Sequence, residues 1–283
     1  MQRHAVLSLA EGKPSLCLAV SVVKSEWGHG SRLVPIDSVG RGVTIRVRPL
    51  SSYPQSEFRH RRMRWTEQPI FFVDFEGSSA SGILEYGVVT LLGGKVVEAR
   101  TRLCRATGSV RAQDAAVHGL RESDLAGQAP FADEWDYFIR LRERGPLAAH
   151  YAGVENGLLK SVWPYPRRSP DFARPGEHVV DWGPWIDSAR LYEQFYPRLP
   201  SGRLEALVAA GGLQGELEAL AAAHCPAGRR RYHAALYDAL AGALLLAALA
   251  REETLSGLSV MQLLAFSTLD PRKREALTQR ELF

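Results

Sequence analysis

The stretch from Ile70 to Leu103 constrains this chain more than any other. Ile70-Phe71-Phe72-Val73 is a short apolar run of β-branched and aromatic residues that closes on Asp74-Phe75-Glu76-Gly77, the pattern of a buried strand. Ile83 to Leu92 and Lys95 to Leu103 are two further strand-like runs joined by Gly93-Gly94, a hairpin signature. Three antiparallel strands are therefore expected. Residues 114–144 carry helical spacing, broken at 127–130, where Pro130 suits the start of a helix over 131–144. Pro146 to His150 reads as a short strand and Val154 to Val162 as a helix, followed by a Pro- and Arg-rich loop over 163–177. Val179 to Trp182 is read as the final strand. Helices then follow over 185–195, 203–210, 234–250 and 258–266. This order predicts one α/β domain with a mixed sheet.

Composition sets the class. At 46% hydrophobic and 23% charged, with a mean hydropathy of −0.15, the 283 residues suit a folded globular protein. The longest apolar stretch, 234–250, is interrupted by Asp238 and reads as a buried helix, so no membrane association is expected. Three widely spaced cysteines, Cys17, Cys104 and Cys225, form neither a disulfide framework nor a metal knuckle, which suits a reducing cytoplasm. Leu16 to Val23 is apolar, but Glu11 and Lys13 precede it, so no secretory signal is expected. The net charge is only +4, and a pI near 9.0 leans towards a polyanionic partner.

Three regions are expected: 1–68 as a poorly patterned basic extension, 69–252 as the α/β domain, and 253–283 as a helix with a charged tail. The cluster Arg59, His60, Arg61, Arg62, Arg64 has two readings, a basic arm for phosphates or a segment upstream of a true start at Met63.

The acids that could carry chemistry lie in three places. Asp74 and Glu76 are two apart at a strand end, so their side chains share a face and can converge on a hard divalent ion. Glu155, in His150-Tyr151-Ala152-Gly153-Val154-Glu155, opens a helix, where it either reaches the same site or is an ordinary surface acid. His233 and Asp238 are five apart, about 140° on a regular helix, so His233 is expected on the preceding loop, mobile above Asp238.

In this order the elements resemble the DnaQ-like 3′ to 5′ exonucleases of the DEDDh class, the family of the polymerase III proofreading subunit, over roughly 70–250. Phe72-Val73-Asp74-Phe75-Glu76 is similar to the family's V-D-x-E. Val117-His118-Gly119-Leu120, then Leu125, Pro130 and Phe131, is similar to its H-G-I, L and P-x-F pattern. His233 and Asp238 fit its H-x4-D. The second motif departs from H-N-A-x-F-D, with Tyr151 for Asn, Val154 for Phe and Glu155 for the metal-binding Asp.

The resemblance implies an RNase H-like fold, with three antiparallel strands and then two parallel ones in a five-stranded mixed sheet flanked by helices. It also implies a hydrolase that uses two divalent ions, Mg²⁺ or Mn²⁺. Asp74, Glu76, Glu155 and Asp238 would hold the ions, and His233 would be the general base, imidazole being suited to proton transfer near neutral pH. The substrate would be the 3′ end of single-stranded DNA, cut to 5′ nucleoside monophosphates in replication or repair. RNA as the substrate, or a binding module that has lost catalysis through Glu155, are the alternatives. Amides of Gly77, Ser78 and Ser79 would meet the terminal nucleotide, Phe75 would stack on bases or fill core, and Arg167-Arg168 with Arg229-Arg230-Arg231 would flank the strand. Gln279-Arg280-Glu281-Leu282-Phe283 resembles a sliding-clamp docking peptide, whereas Gln262 to Phe266 fits helix core better, and a DNA polymerase is a further partner that the family resemblance implies.

Overall fold

The computed structural model describes residues 34–35, 44–45, 64–268 and 270–279. The basic cluster over 59–62, Cys17 and the clamp-like residues 280–283 lie outside the described residues.

Five strands form the sheet: β1 (Ile70–Ser78), β2 (Gly82–Leu92), β3 (Lys95–Leu103), β4 (Leu147–Ala149) and β5 (Ile186–Asp187), in spatial order β3-β2-β1-β4-β5. β1 pairs antiparallel with β2 and parallel with β4, and β4 pairs parallel with β5. The three antiparallel and two parallel strands of the sequence reading are thus present. The β2–β3 turn puts Gly93 at φ 61° and Gly94 at φ 70°, the positive angles that two central hairpin residues need.

β1 is the central strand and is buried on both faces, which explains its nearly unbroken apolar run. Its period of two sorts the residues. Phe71, Val73 and Phe75 enter an aromatic cluster with Tyr86, Phe131, Phe138 and Trp182, while Ile70 and Phe72 enter the larger core on the opposite face. Asp74 and Glu76 share the parity of Phe72 and so face that second side.

The described helices are α1 (Ala112–His118), α2 (Trp135–Arg144), α3 (Ala152–Val162), α4 (Ser188–Phe195), α5 (Leu204–Ala210), α6 (Gln214–His224), α7 (Ala235–Arg251), α8 (Val260–Phe266) and α9 (Pro271–Gln279), with shorter turns between them. α7 lies against β1 and β2 and is buried along most of its length, as expected of an apolar helix inside a core. Its approach to the sheet is close because two glycines make room. A side chain on Gly87 would come within 2.3 Å of the Ala235 carbonyl, and one on Gly242 would overlap the Phe72 ring at 2.1 Å.

Two expectations are corrected. Val179 to Trp182 is not the last strand: His178–Val179 pairs with Ser169–Pro170 in a separate ribbon, and the sheet closes with Ile186–Asp187. The helix expected from Trp185 begins at Ser188, because the Asp187 carboxylate accepts the Ala189 and Arg190 amides and caps it there. α6 and α9 were absent from the sequence reading. α6 buries only Leu217 and Ala221, too thin a stripe to show as periodicity. Gln262 belongs to α8, where it forms a capping box with Ser259, and Leu264 and Phe266 are core. Trp65, which precedes β1, is fully buried and donates its indole N–H to the Leu255 carbonyl at 2.7 Å. Among the described residues, no helix is long and apolar enough to cross a membrane.

Candidate active site

β4 and β5 end beside the middle of β1, and the acids collect there; β1 itself runs on to Ser78, so Asp74 and Glu76 lie within the strand and not at its end, past the last residue paired with β4. β1 delivers Asp74 and Glu76. The chain leaving β4 turns into α3 through Tyr151, and the first turn of α3 places Glu155 beside β1, where its Oε2 accepts the Phe75 amide at 3.0 Å. That amide lies beyond the β1–β4 ladder, which ends at Phe72 and Ala148, so the carboxylate supplies the missing acceptor. Asp238 comes from the first turn of α7. Its Oδ2 accepts the His233 amide at 2.9 Å, and its Oδ1 is buried without a hydrogen-bond partner.

Glu76, Glu155 and Asp238 are buried, Asp74 is half-buried and His233 is exposed. Ligand atoms of Glu76, His233 and Asp238 all lie within 4.8 Å of one another. Burial and mutual repulsion hold these acids towards their protonated forms. Burial pushes Glu76 up to about 8, and nearby Asp238 and Glu85 add to the rise. Glu155 is pushed up to about 8 and Asp238 to about 7, again chiefly by burial, while the hydrogen bonds from Phe75 and His233 pull the other way. Asp74 is raised well above the usual carboxylate range by burial, then by Glu155, Asp238, Glu76 and Glu85. Such crowding of like charge is a mark of a functional site. The donor set of carboxylate oxygens and one imidazole, with an orphaned Asp238 oxygen among them, fits a hard divalent cation.

His233 sits on the loop before α7, as its spacing from Asp238 predicts, and its backbone is hydrogen-bonded on both sides. It adopts φ 62°, a left-handed conformation that costs a non-glycine residue free energy. Its N–H is held by Asp238 and its carbonyl accepts from Arg229 Nη2 at 3.2 Å. Glu155 is not a surface acid, being 6% exposed and turned towards β1.

Other expectations fare differently. Phe75 is core, edge-on to Phe131 at a centroid distance of 5.4 Å, so it has no face to offer a base. The Ser78 amide is already given to Ser81 Oγ at 3.0 Å. Arg167 pairs with Asp136, Arg230 bonds the Cys225 and Ala222 carbonyls, and Arg231 bonds the His118 carbonyl. Sequence reasoning missed Glu85, a buried acid on β2 that faces Glu76 directly across the strand pair and is gripped by Arg229. Its signal was a single charge inside the otherwise apolar run from Ile83 to Leu92.

No family model matches the chain, and no curated protein does. Solved structures do match. Exonuclease X in complex with 5′ overhanging duplex DNA aligns with a TM-score of 0.52 and 22% identity, over 70% of this chain and 99% of that one. The fold is RNase H-like. A moderately thermophilic exonuclease I from Methylocaldum szegediense aligns with a TM-score of 0.51 and 14% identity, over 75% of this chain and 45% of that one. The chain therefore spans less than half of the second protein, and the likeness to both is one of fold.

Proposed function

We propose that this chain is a divalent-metal-dependent exonuclease that removes nucleotides from the 3′ end of single-stranded DNA, releasing 5′ nucleoside monophosphates. The observation that carries the reading is the meeting of Asp74, Glu76, Glu155 and Asp238 with an exposed imidazole beside the central strand of an RNase H-like sheet. Carboxylates this crowded are costly in the absence of a countercharge, and phosphodiester hydrolysis is a reaction in which that countercharge is useful.

In this reading Asp74, Glu76, Glu155 and Asp238 hold the metal, Mg²⁺ or Mn²⁺. When bound, such ions lower the pKa of water and neutralise charge on the phosphoryl and leaving oxygens. The chain's own contribution is positional. His233, exposed at the mouth of the site, takes a proton from the attacking water at a ring nitrogen. The Phe75 amide fixes Glu155, and the His233 amide fixes one oxygen of Asp238, leaving the other buried without a hydrogen-bond partner. Replication proofreading or repair is the proposed setting, with a sliding clamp or a polymerase as partner.

The test is incubation of the purified chain with 5′-labelled single-stranded DNA and RNA of one sequence, in Mg²⁺, Mn²⁺ or chelator, beside Asp74→Ala. The expected result is a metal-dependent ladder that shortens from the 3′ end, faster on DNA, and disappears in the variant. Faster cutting of RNA would make the chain an exoribonuclease. Folded protein that cuts neither would leave nucleic-acid binding as the function to explain.

A further inference from the structure

Glu85 presents an electrostatic problem that the sheet does not solve. It is 2% exposed, and its cross-strand partner in the β1–β2 register is Glu76. Like charges directly opposite on antiparallel strands repel, and a buried carboxylate requires a partner. Arg229 provides one: its Nε and Nη2 take the two Glu85 oxygens, Nε at 3.2 Å from Oε1, a forked pairing that only arginine can make.

The same guanidinium does more than neutralise Glu85. Nη1 donates to the His118 carbonyl at the end of α1, and Nη2 also donates to the His233 carbonyl at 3.2 Å. Glu85 Oε2 in turn accepts the Ala235 amide at 3.1 Å, one of the orphan donors at the start of α7, three residues before Asp238. Two connections therefore leave this pair. One runs through Arg229 to the His233 peptide and the other through Ala235 to the helix that carries Asp238. His233 and Asp238 are themselves joined by the 2.9 Å hydrogen bond between them. A residue held at φ 62° persists only where its surroundings over-determine it, and the holders of His233 are Asp238 and Arg229.

We infer that Glu85 and Arg229 are a positioning pair that sets His233 and Asp238 for the chemistry proposed above, without touching substrate or metal. This rests on the exonuclease reading for its kinetic consequences. The sequence reading placed Arg229 on the phosphate path, whereas its donors are spent inward.

The test uses the full chain with Arg229→Lys, Glu85→Gln and the double variant Glu85→Gln/Arg229→Gln. Arg251→Ala is the control, because it breaks a surface ion pair in which Arg251 Nη2 reaches both Glu216 oxygens at the far end of α7, about 20 Å away. Melting temperature reports folding, steady-state kinetics on labelled DNA reports kcat and KM separately, and calorimetry with Mn²⁺ alone reports the site without any nucleic acid. In each single variant kcat is expected to fall about 10- to 100-fold with KM within about twofold, and Mn²⁺ binding to weaken about tenfold. The double variant, which strands no buried charge, is expected to lose no more than the worse single one. Arg251→Ala should match the parent.

A lower melting temperature with unchanged kcat and unchanged Mn²⁺ affinity would overturn the inference and leave the pair a stabilising one. A rise in KM at constant kcat would overturn it in favour of a phosphate contact. If the single variants fail to fold, the double variant decides by the same readouts. If the parent cuts nothing, the exonuclease reading fails, while the Mn²⁺ affinities still judge the pair: weaker binding in folded variants supports it, and equal binding refutes it.

Discussion

Raising the pH on the metal-free protein should destabilise it, the reverse of what ion-paired carboxylates do. In the fold Glu76 and Glu155 are pushed up to about 8 and Asp238 to about 7, against ordinary values of 4.5, 4.5 and 3.8. At neutral pH the cluster therefore holds protons that the unfolded chain has lost, so folding takes up protons. The stability that protonation supplies is full below about pH 4 and is lost as the pH climbs towards 8. Each proton so taken up is worth a loss of about 1.4 kcal/mol per pH unit. Because the acids repel one another their protons leave over several pH units, and Asp74, raised in the same sense, extends the window upwards. In chelator the melting temperature should therefore fall by at least about 5 °C between pH 6 and pH 8.5. Saturating Mn²⁺ should remove the fall. Calorimetry in two buffers of different ionisation enthalpy should show protons released as Mn²⁺ binds at pH 7. A chelated protein whose melting temperature stays flat or rises over that window would refute the reasoning, because it would mean that the four carboxylates are solvated and ionised.

Three more outcomes follow from packing and hydrogen bonding. Gly87→Ala drives a methyl into the Ala235 backbone and should cost about 1 to 3 kcal/mol in urea unfolding, since neither strand nor helix can yield cheaply. Asp187→Ala removes the acceptor of the Tyr151, Ala152, Ala189 and Arg190 amides. It should cost about 2 kcal/mol or more, because buried donors are left unmade at two helix starts; a loss below about 0.5 kcal/mol would show that water replaces it. Glu155→Gln keeps an acceptor for the Phe75 amide but removes a charge, so cleavage should drop steeply while the melting temperature in chelator at pH 8.5 rises.

Most of the sheet was legible because its signals are local. A double glycine between strand-like runs, and a β-rich run closing on acids, specify β1, β2 and β3 without reference to the rest of the chain. β5 was not legible for the opposite reason. Ile186–Asp187 is two residues long, and its identity as a strand comes from pairing with β4, a contact that no pattern within 179–187 announces. Spacing set Asp74 and Glu76 on one face of a strand and His233 on the loop before α7, but it left Glu155 open between the cluster and the surface. What spacing could not show was Glu85 with Arg229, since an acid on a strand and an arginine 144 residues later are joined only by the fold. The three consecutive arginines looked like a phosphate track because sequence gives charge but not direction.

The alternation of β1 has a consequence for how the chain finds its register. Phe72, Asp74 and Glu76 share one face, and Phe71, Val73 and Phe75 the other. A slip of one residue would exchange the two sets, sending both acids into the aromatic cluster around Phe131 and Phe138 and the phenyl rings into the gap beneath α7. Either misplacement is dearer than the hydrogen bonds of the slipped ladder could offset, since an unpaired carboxylate in an apolar interior costs several kcal/mol. The acids thus act as an address label for the strand: the residues proposed to hold a metal are also those that make a one-residue misalignment of the sheet self-rejecting.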